Sequence, residues 1–484
     1  MLKNSGYLLA VAALLSCLNS TAMAADPGLS DALANSSKKA DDTQSSPPNA
    51  TSKMPDMTAP YAASTQPQPP PLSLESAILF AMHQNPAIKS EVEKIKQAHF
   101  AVDEARAAYY PQVSLNMKGG HEYDDPAGLP SGASVSTKVT AQVNSMQESV
   151  LISQILYNGF ATDEDVARRK ALENSSTYGS LVTIEGILNN AVGYYVDVWH
   201  YQREVTESQH FVDSLQKVGS KVSLMNEAGA ESKAKKEYVD SRVAAAKTDL
   251  NKVKALLADA LSNLEALTGS LPEFSAQRPM QMDPTVRPLT AYYDLARTDN
   301  NHLLLNASDH AAVEHQINQQ ESTYMPTVSF QVDGRHGYDV GGHVGNTWDA
   351  SQMVVLDYKI FDGYQRDASI GKLKAQAAEN EFRQQQLERD TDKDIRKAYN
   401  DILSTKQDLA SNMQEILSSE NLQDLYQKQF ELGEGDIITM IEGSERLHTA
   451  RLNSFKLEAA MVVDSFSLLQ KVGALRKEKF CASC

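Results

Sequence analysis

Apolar positions recur along this chain with two different periods. Val113, Leu115 and Met117 alternate with Ser114, Asn116 and Lys118, and Val139, Ala141 and Val143 lead a return segment towards Leu156. The alternation recurs where Val328, Phe330 and Val332 interleave with Ser329, Gln331 and Asp333. There Val354, Leu356, Tyr358 and Ile360 form the return. A period of two sends successive side chains to opposite faces, so the pattern predicts two hairpins, about 112–157 and 327–361, each apolar on one face. Helical stretches rich in Ala, Glu, Lys and Gln precede each hairpin. They end at Pro111 and Pro326, because proline drives its predecessor out of the α region. After each hairpin come two long runs, 161–225 and 231–268, then 364–430 and 436–472, with no proline in any of them. The longer runs would extend about 90–100 Å as helices, a length that calls for a neighbouring helix along the whole side.

The two halves are copies. Tyr109-Tyr110-Pro111-Gln112-Val113-Ser114-Leu115 returns 215 residues later as Tyr324-Met325-Pro326-Thr327-Val328-Ser329-Phe330. Leu156-Tyr157-Asn158-Gly159-Phe160 returns 204 residues later as Ile360-Phe361-Asp362-Gly363-Tyr364. The second spacing then holds through Tyr195/Tyr399, Asp197/Asp401, Gly229/Gly433, Arg242/Arg446 and Gly269/Gly473. Glycine readily ends a helix, so Gly229 and Gly433 predict the turns of two helix pairs. Gly159 and Gly363 predict the strand-to-helix transitions. The change of spacing puts eleven extra residues in the first hairpin. Residues 119–137 and 333–349, rich in Gly, Asp, His and Ser, are expected to be the hairpin loops. The layout is a leader at 1–24, a linker at 25–71, a first repeat at 72–269 and a connector at 270–300. A second repeat at 301–473 and a tail at 474–484 complete it.

Composition narrows the setting. The formal charge of −17 argues against nucleic acid, which needs a clustered basic face. Residues 1–24 read as a secretory signal, with Lys3, an apolar core from Tyr7 to Leu15, and Ala22-Met23-Ala24 before the cut. Leu14-Leu15-Ser16-Cys17 offers a competing lipoprotein reading. Nine of the eighteen prolines fall in 26–71, so that segment is expected to be a flexible arm. Cys481 and Cys484 suit a small terminal disulfide better than a redox centre or a zinc site.

No nucleophile elbow, phosphate loop or metalloprotease helix is present, so no enzyme and no cofactor is expected. His310 and His315 stand about 140° apart around a helix and do not suit a shared metal. Gly341-Gly342-His343-Val344-Gly345 suits a hairpin tip better than a dinucleotide fingerprint. His121, His336 and His343 near the tips read as surface residues.

Four one-faced strands cannot close a barrel, and lipid does not tolerate an open sheet edge. Membrane barrels begin at eight strands, so several chains must each contribute hairpins. The expected fold class is therefore an α+β membrane protein. It has a β-barrel shared between subunits, four strands per chain, long α-helices hanging into the periplasm, and an internal two-fold repeat. A structural coiled-coil protein and a periplasmic adaptor are the rival readings.

Leu72-Ser73-Leu74-Glu75-Ser76-Ala77, Asn85-Pro86, Ala105-Arg106 and Tyr110-Pro111 together resemble the opening signature of the TolC family of outer-membrane channels. Gln154-Ile155-Leu156-Tyr157-Asn158-Gly159 resembles that family's strand-to-helix motif. The resemblance covers about residues 72–475 and departs at Asn300-Asn301, where Asn-Pro is common, which weakens the helix break expected there. It implies a homotrimer with a twelve-stranded barrel in outer-membrane lipid, an equatorial collar, and a long α-helical periplasmic barrel whose twelve helices enclose a tunnel. It also implies a passive duct, served by a periplasmic adaptor (membrane fusion protein) and an inner-membrane ABC or RND transporter. The junction motifs resemble the type I secretion branch most; multidrug efflux is the alternative.

The family's second tip carries an acidic constriction; Glu442 matches one of its acids and Thr439 replaces another. Around Gly433 this chain is acidic, with Glu434, Asp436, Glu442 and Glu445. After Gly229 it is basic, with Lys233, Lys235 and Lys236. These seven residues are expected to form cross-tip ion pairs that close the periplasmic entrance.

Overall fold

The computed structural model describes residues 70–124, 141–269, 273–279, 287–340 and 345–475. The expected leader, nearly all of the arm, and Cys481 and Cys484 lie outside them. The chain divides between Gln66 and Pro67, and all the described residues belong to the second unit.

Each repeat opens with two helices hinged at an asparagine. Helices α1 (Leu74–Gln84) and α2 (Pro86–Arg106) meet at Asn85. Their counterparts α5 (Leu289–Asp299) and α6 (Asn301–Glu321) meet at Asn300. Both asparagines are buried and extended, at φ −65° and ψ 120°, and at φ −69° and ψ 116°. Asn85 Oδ1 accepts from Ala87 N at 2.8 Å, and Asn300 Oδ1 accepts from His302 N at 2.9 Å. Each Nδ2 donates to the far end of its own repeat, to Leu267 O at 3.2 Å and to Lys471 O at 2.6 Å. The break at Asn300-Asn301 is thus as sharp as that at Asn85-Pro86, against the expectation of a weaker one. The side-chain cap turns the chain, and the proline is not needed.

One turn of 3₁₀ helix (Ala107–Tyr109, Ser322–Tyr324) leads to each proline, whose predecessor is extended. Strands β2 (Gln112–Asp124), β3 (Ala141–Tyr157), β5 (Thr327–Tyr338) and β6 (Asn346–Asp357) form one antiparallel sheet in the order β2-β3-β5-β6. A separate parallel pair joins β1 (Pro71–Leu72) to β4 (Ser275–Ala276). The long helices are α3 (Ala161–Glu227) with α4 (Lys233–Thr268), and α7 (Gln365–Glu431) with α8 (Ile437–Lys471). No described helix is long and apolar enough to cross a membrane.

The strands reach further than the loops expected at 119–137 and 333–349. Residues 119–124, 333–338 and 346–349 are paired, through Gly120↔Ser145 and Gly337↔Thr347 among others. Glycines interrupt the apolar alternation there while the backbone ladder continues, so periodicity alone ended the strands too early. Residues 125–137 and 341–344 of those loops, the latter all of the glycine-rich tip but Gly345, lie outside the described residues. The extra length of the first hairpin does fall between its strands, in 125–140 against 339–345.

The main core forms where the ends of the shorter helices pack on the middle of the long ones, around Leu74, Ile78, Tyr195, Trp199 and Phe466. Tyr195 is fully buried, and its hydroxyl lies 2.6 Å from Leu72 O and 2.8 Å from Gln277 O, sharing one proton between the two. Gln202 closes the same strip, donating to Phe274 O at 3.2 Å and accepting from Ala276 N at 2.9 Å. Burial pushes the Tyr195 phenol up to about 12, so it stays a donor at any physiological pH. A second core nearer the helix-pair turns joins Val212, Leu215, Val239, Ile437 and Ile441.

Asp464 on α8 lies half-buried in this middle region. Burial first, and then the charge of Asp401, raise its carboxyl above the usual range. A carboxyl raised on folding binds more protons in the native state, so its contribution to stability falls as pH rises through the folded value. Asp464→Asn is therefore expected to raise the melting temperature at pH 7 and to leave it unchanged below pH 4. Equal shifts at both pH values in a thermal melt would show that the charge is not the cause.

Candidate functional site

Three zones carry the chemistry, beginning with the faces of the sheet. The register places Val113, Leu115 and Met117 of β2 in rows with Ile152, Val150 and Glu148 of β3, then with Val332, Gly334 and His336 of β5. Val354, Leu356 and Trp348 of β6 share that face. It is apolar and open, with Leu115, Val354, Leu356 and Trp348 each more than 60% exposed. The opposite face carries Ser114, Asn116 and Lys118 with Ser149, Asp333, Arg335, Ser351 and Asp349. A sheet with a bare apolar face and a polar reverse suits lipid on one side and water on the other. Its outer edges, β2 and β6, have no partner strand among the described residues.

At the base of the sheet each strand-to-helix passage uses two left-handed residues in succession. Gly159 (φ 67°) is followed by Phe160 (φ 68°), and Gly363 (φ 69°) by Tyr364 (φ 66°). At Gly159 a side chain would come within 2.7 Å of Met325 Cβ and 2.8 Å of Ser322 O, so glycine is required there for space as well as conformation. The aromatic residues in αL were not legible in the sequence. Each is held by an edge-on ring, Tyr157 against Phe160 at 6.0 Å and Phe361 against Tyr364 at 5.6 Å. The hydroxyl of Tyr109 donates to Asp163 at 2.6 Å, and that of Tyr324 to Asp367 at 2.5 Å, tying each short helix to the start of a long one. The Asp163 carboxylate holds the Tyr109 phenol up, at about 12. Tyr110, Phe160, Tyr358, Phe361 and Tyr364 are more than half exposed and ring this base. Together they form the aromatic girdle expected at a membrane interface.

In the third zone, the far ends of the helix pairs, Gly229 (φ 72°) and Gly433 (φ 77°) make the two turns. Of the seven charged residues singled out there, the structure joins one pair across the tips. Lys235 Nζ lies 3.0 Å from Asp436 Oδ1, and it also reaches Glu231 at 3.3 Å. That contact, first of all, raises Lys235 and lowers Asp436 from their ordinary values. Glu445 is engaged as well, but by Arg242 at 3.5 Å, a cation left out of the expected set. The hydrogen bond to Tyr238 first, and then the charge of Glu445, raises Arg242, with Glu442 the smallest contributor. Lys236 turns along its own helix to Asp240 at 2.6 Å, contrary to the expectation of a cross-tip pair. Lys233, Glu434 and Glu442 have no ion pair among the described residues, so the structure does not bring them into the expected cross-tip set. The spacing of Arg242 seven residues after Lys235, two helical turns on the same face, was the available signal.

The contacts between the two helix pairs continue along α8 beyond the tips. Glu207 of α3 takes Arg451 at 3.2 Å, and Arg203 takes Glu458 at 2.9 Å while stacking on Phe455 at 4.0 Å. Among the described residues no group of His, Cys, Asp and Glu is placed to hold a metal. His310 pairs with Glu314 at 3.5 Å and His315 with Glu164 at 2.8 Å, so the two histidines do not share a ligand.

Residues 292–474 match the family model described as outer membrane efflux protein. The second repeat is thus similar to an outer membrane efflux protein domain. No curated protein matches the sequence. Solved structures extend the likeness of fold to both repeats. A membrane protein from Pseudomonas aeruginosa matches with a TM-score of 0.71 at 14% identity, over 83% of this chain and 90% of that one. The outer membrane protein VceC from Vibrio cholerae matches at 0.70 and 10% identity, over 83% and 96%. The Campylobacter jejuni CmeC outer membrane channel matches at 0.68 and 13%, over 83% and 86%. The resemblance to the TolC family read from the motifs holds for the fold of both repeats, and the family model matches the second. An efflux protein of this family resides in the outer membrane, with its helical part in the periplasm.

Proposed function

We propose that this chain is the outer-membrane exit duct of a tripartite export system, and that three copies build it. The observation that carries this reading is the sheet: four one-faced strands with two unpaired edges, set above an aromatic girdle and helices of about 100 Å. Three copies give twelve strands and no free edge, which meets the demand of lipid that every backbone group be paired. The long helices of three copies enclose a passage through the periplasm. A periplasmic adaptor and an inner-membrane transporter supply energy and choose the cargo. The junction motifs favour a polypeptide passed on by a type I secretion transporter. The description of the matched family, efflux, favours small molecules as a second reading. Deleting the gene and measuring both exported protein and drug sensitivity separates them.

The topology has a direct test. A cysteine in place of Val340, beyond the end of β5, should react with a membrane-impermeant maleimide on intact cells. A cysteine in place of Ala230, beside the first helix-pair turn, should react only after the outer membrane is permeabilised. The reverse pattern would invert the proposed orientation and remove the exit-duct reading with it.

A further inference from the structure

The strand-to-helix passages of the two repeats share a backbone path but not their charges. At the first, Ser153, Ile155, Asn158 and Thr162 stand where Asp357, Lys359, Asp362 and Arg366 stand at the second, 204 residues on. Both passages make the same two left-handed steps. The neutral set suffices for the first turn, with Asn158 Nδ2 donating to Thr162 Oγ1 at 2.7 Å. In the second passage Asp362 and Arg366 take that part. Arg366 Nε donates to Asp362 Oδ2 at 2.7 Å, and its other nitrogens donate to Thr323 O at 2.9 Å and Lys359 O at 3.0 Å. Both side chains are nearly buried. Asp357 and Lys359 are left over. Their side chains are exposed and have no ion pair among the described residues.

Those two charges line one cavity of about 430 Å³, between the start of α3, the end of α6 and the start of α7. The register puts it on the polar face of the sheet, where Thr327 faces Asp357 and Ser329 faces both Val355 and Ile155. Ile155 and Met325 form its apolar wall and are 40% and 54% exposed on this watery side. Val355 and the half-exposed Met353 continue the apolar strip up the same face. The walls are set in advance. Arg366 ties three segments together beside the cavity, and Gly159 packs on Met325 and Ser322 with no room for a side chain. Exposed apolar side chains next to a few convergent polar groups, around a volume of this order, are the ordinary makings of a small-molecule site.

Resting on the duct proposed above, in its small-molecule reading, we infer that this cavity is a cargo-binding station in the duct wall, where the helical passage meets the sheet. It takes an amphiphilic molecule that carries an ammonium and a carboxylate on one apolar body. The ammonium meets Asp357 and the carboxylate meets Lys359, while the apolar body lies along Ile155 and Met325 towards Val355 and Met353. Hydrogen bonds between charged partners are the strong ones, so the two charges fix the orientation of the cargo. A molecule with one charge alone leaves the other residue unmet. Exposure to water keeps the attraction modest, as passage requires, since cargo that enters must also leave.

The full-length protein in lipid nanodiscs, titrated with Nε-dansyl-lysine, tests the assignment. That probe carries both charges, and its ring brightens in an apolar setting. Dansylcadaverine has the same ring with the amine alone, and dansylglycine has it with the acid alone. The zwitterion should bind about tenfold more tightly than either. Asp357→Asn should weaken the zwitterion and the amine about tenfold without weakening the acid. Lys359→Gln should weaken the zwitterion and the acid by a similar factor without weakening the amine. Asp349→Asn removes an acid from the same face outside the cavity and should change none of them. Single-channel recording of the same preparations shows that each variant is folded and separates two kinds of failure. A conducting protein that binds the three probes alike, or whose binding ignores Asp357→Asn and Lys359→Gln, overturns the station and leaves the duct standing. Equal losses in Asp349→Asn assign the effect to the general field of the duct and also overturn the station. A protein that never conducts overturns the duct reading, and the station falls with it.

Discussion

Replacing Asp436 and Glu445 by lysine should open the periplasmic end of the duct, raising the fraction of open channels in low salt by roughly a hundredfold. Adding Lys235→Glu and Arg242→Glu to the same chain should reverse most of that rise. The effect rests on two cross-tip pairs per chain, Lys235 with Asp436 at 3.0 Å and Arg242 with Glu445 at 3.5 Å. All four side chains are partly exposed, so each pair contributes only about 0.5 kcal/mol after screening by solvent. Six such pairs in a trimer sum to about 3 kcal/mol, and each 1.4 kcal/mol is a factor of ten in population. Single-channel recording in a planar bilayer reads the effect directly. Salt supplies an internal control, because at 1 M the Debye length is about 3 Å and the difference between variants should shrink. A doubly substituted acidic tip that conducts like the unsubstituted protein in low salt would remove these pairs as a gate. Lys236→Glu and Lys233→Glu should do little in the same assay, since neither residue reaches the opposite tip.

The strands, the long helices and their duplication were legible because each is a repeated local pattern. Period two at Val113 to Met117, proline-free runs of more than sixty residues, and glycines recurring at one spacing require no knowledge of distant contacts. What escaped reading was set by partners far along the chain. The strand ends at Gly119-Gly120 and Gly337 look like loop in sequence, and only pairing with Ser145 and Thr347 makes them strand. The left-handed conformations of Phe160 and Tyr364 are unfavourable for such residues by about 1–2 kcal/mol, and no local rule predicts them. Neighbouring rings and the hydrogen bonds of Asn158 to Thr162 and Asp362 to Arg366 hold them in place. At the tips, charge type was visible but reach was not. Lys235 and Lys236 are adjacent in sequence and point about 100° apart on the helix, so only one of them meets Asp436.

The repeat also hides an asymmetry that alanine substitution should expose. Gly269 and Gly473 occupy the same repeat position, each just past the end of a long helix, at φ 78° and 73°. At Gly269 a methyl group would make ordinary contact with Gln84 at 3.8 Å, so Gly269→Ala meets backbone strain alone, about 1–3 kcal/mol. At Gly473 the same methyl group would press into the carbonyl of Asp299, 2.6 Å from its carbon and 2.9 Å from Asn300 Cα. Those atoms are backbone and have little freedom to move. They belong to the hinge between α5 and α6, and Asn300 holds that hinge to Lys471 O, two residues before the glycine. Gly473→Ala therefore adds an overpacking cost of about 1–3 kcal/mol to the strain and drives the hinge away from the helix end. The expected result for Gly473→Ala is a lower melting temperature and a new protease-sensitive site near Asn300. Gly269→Ala should lose less of its melting temperature and gain no such site near Asn85. If both variants melt and cleave alike, the close packing at Gly473 is not what holds the second hinge. The burden would then fall on the asparagine caps that the two hinges share.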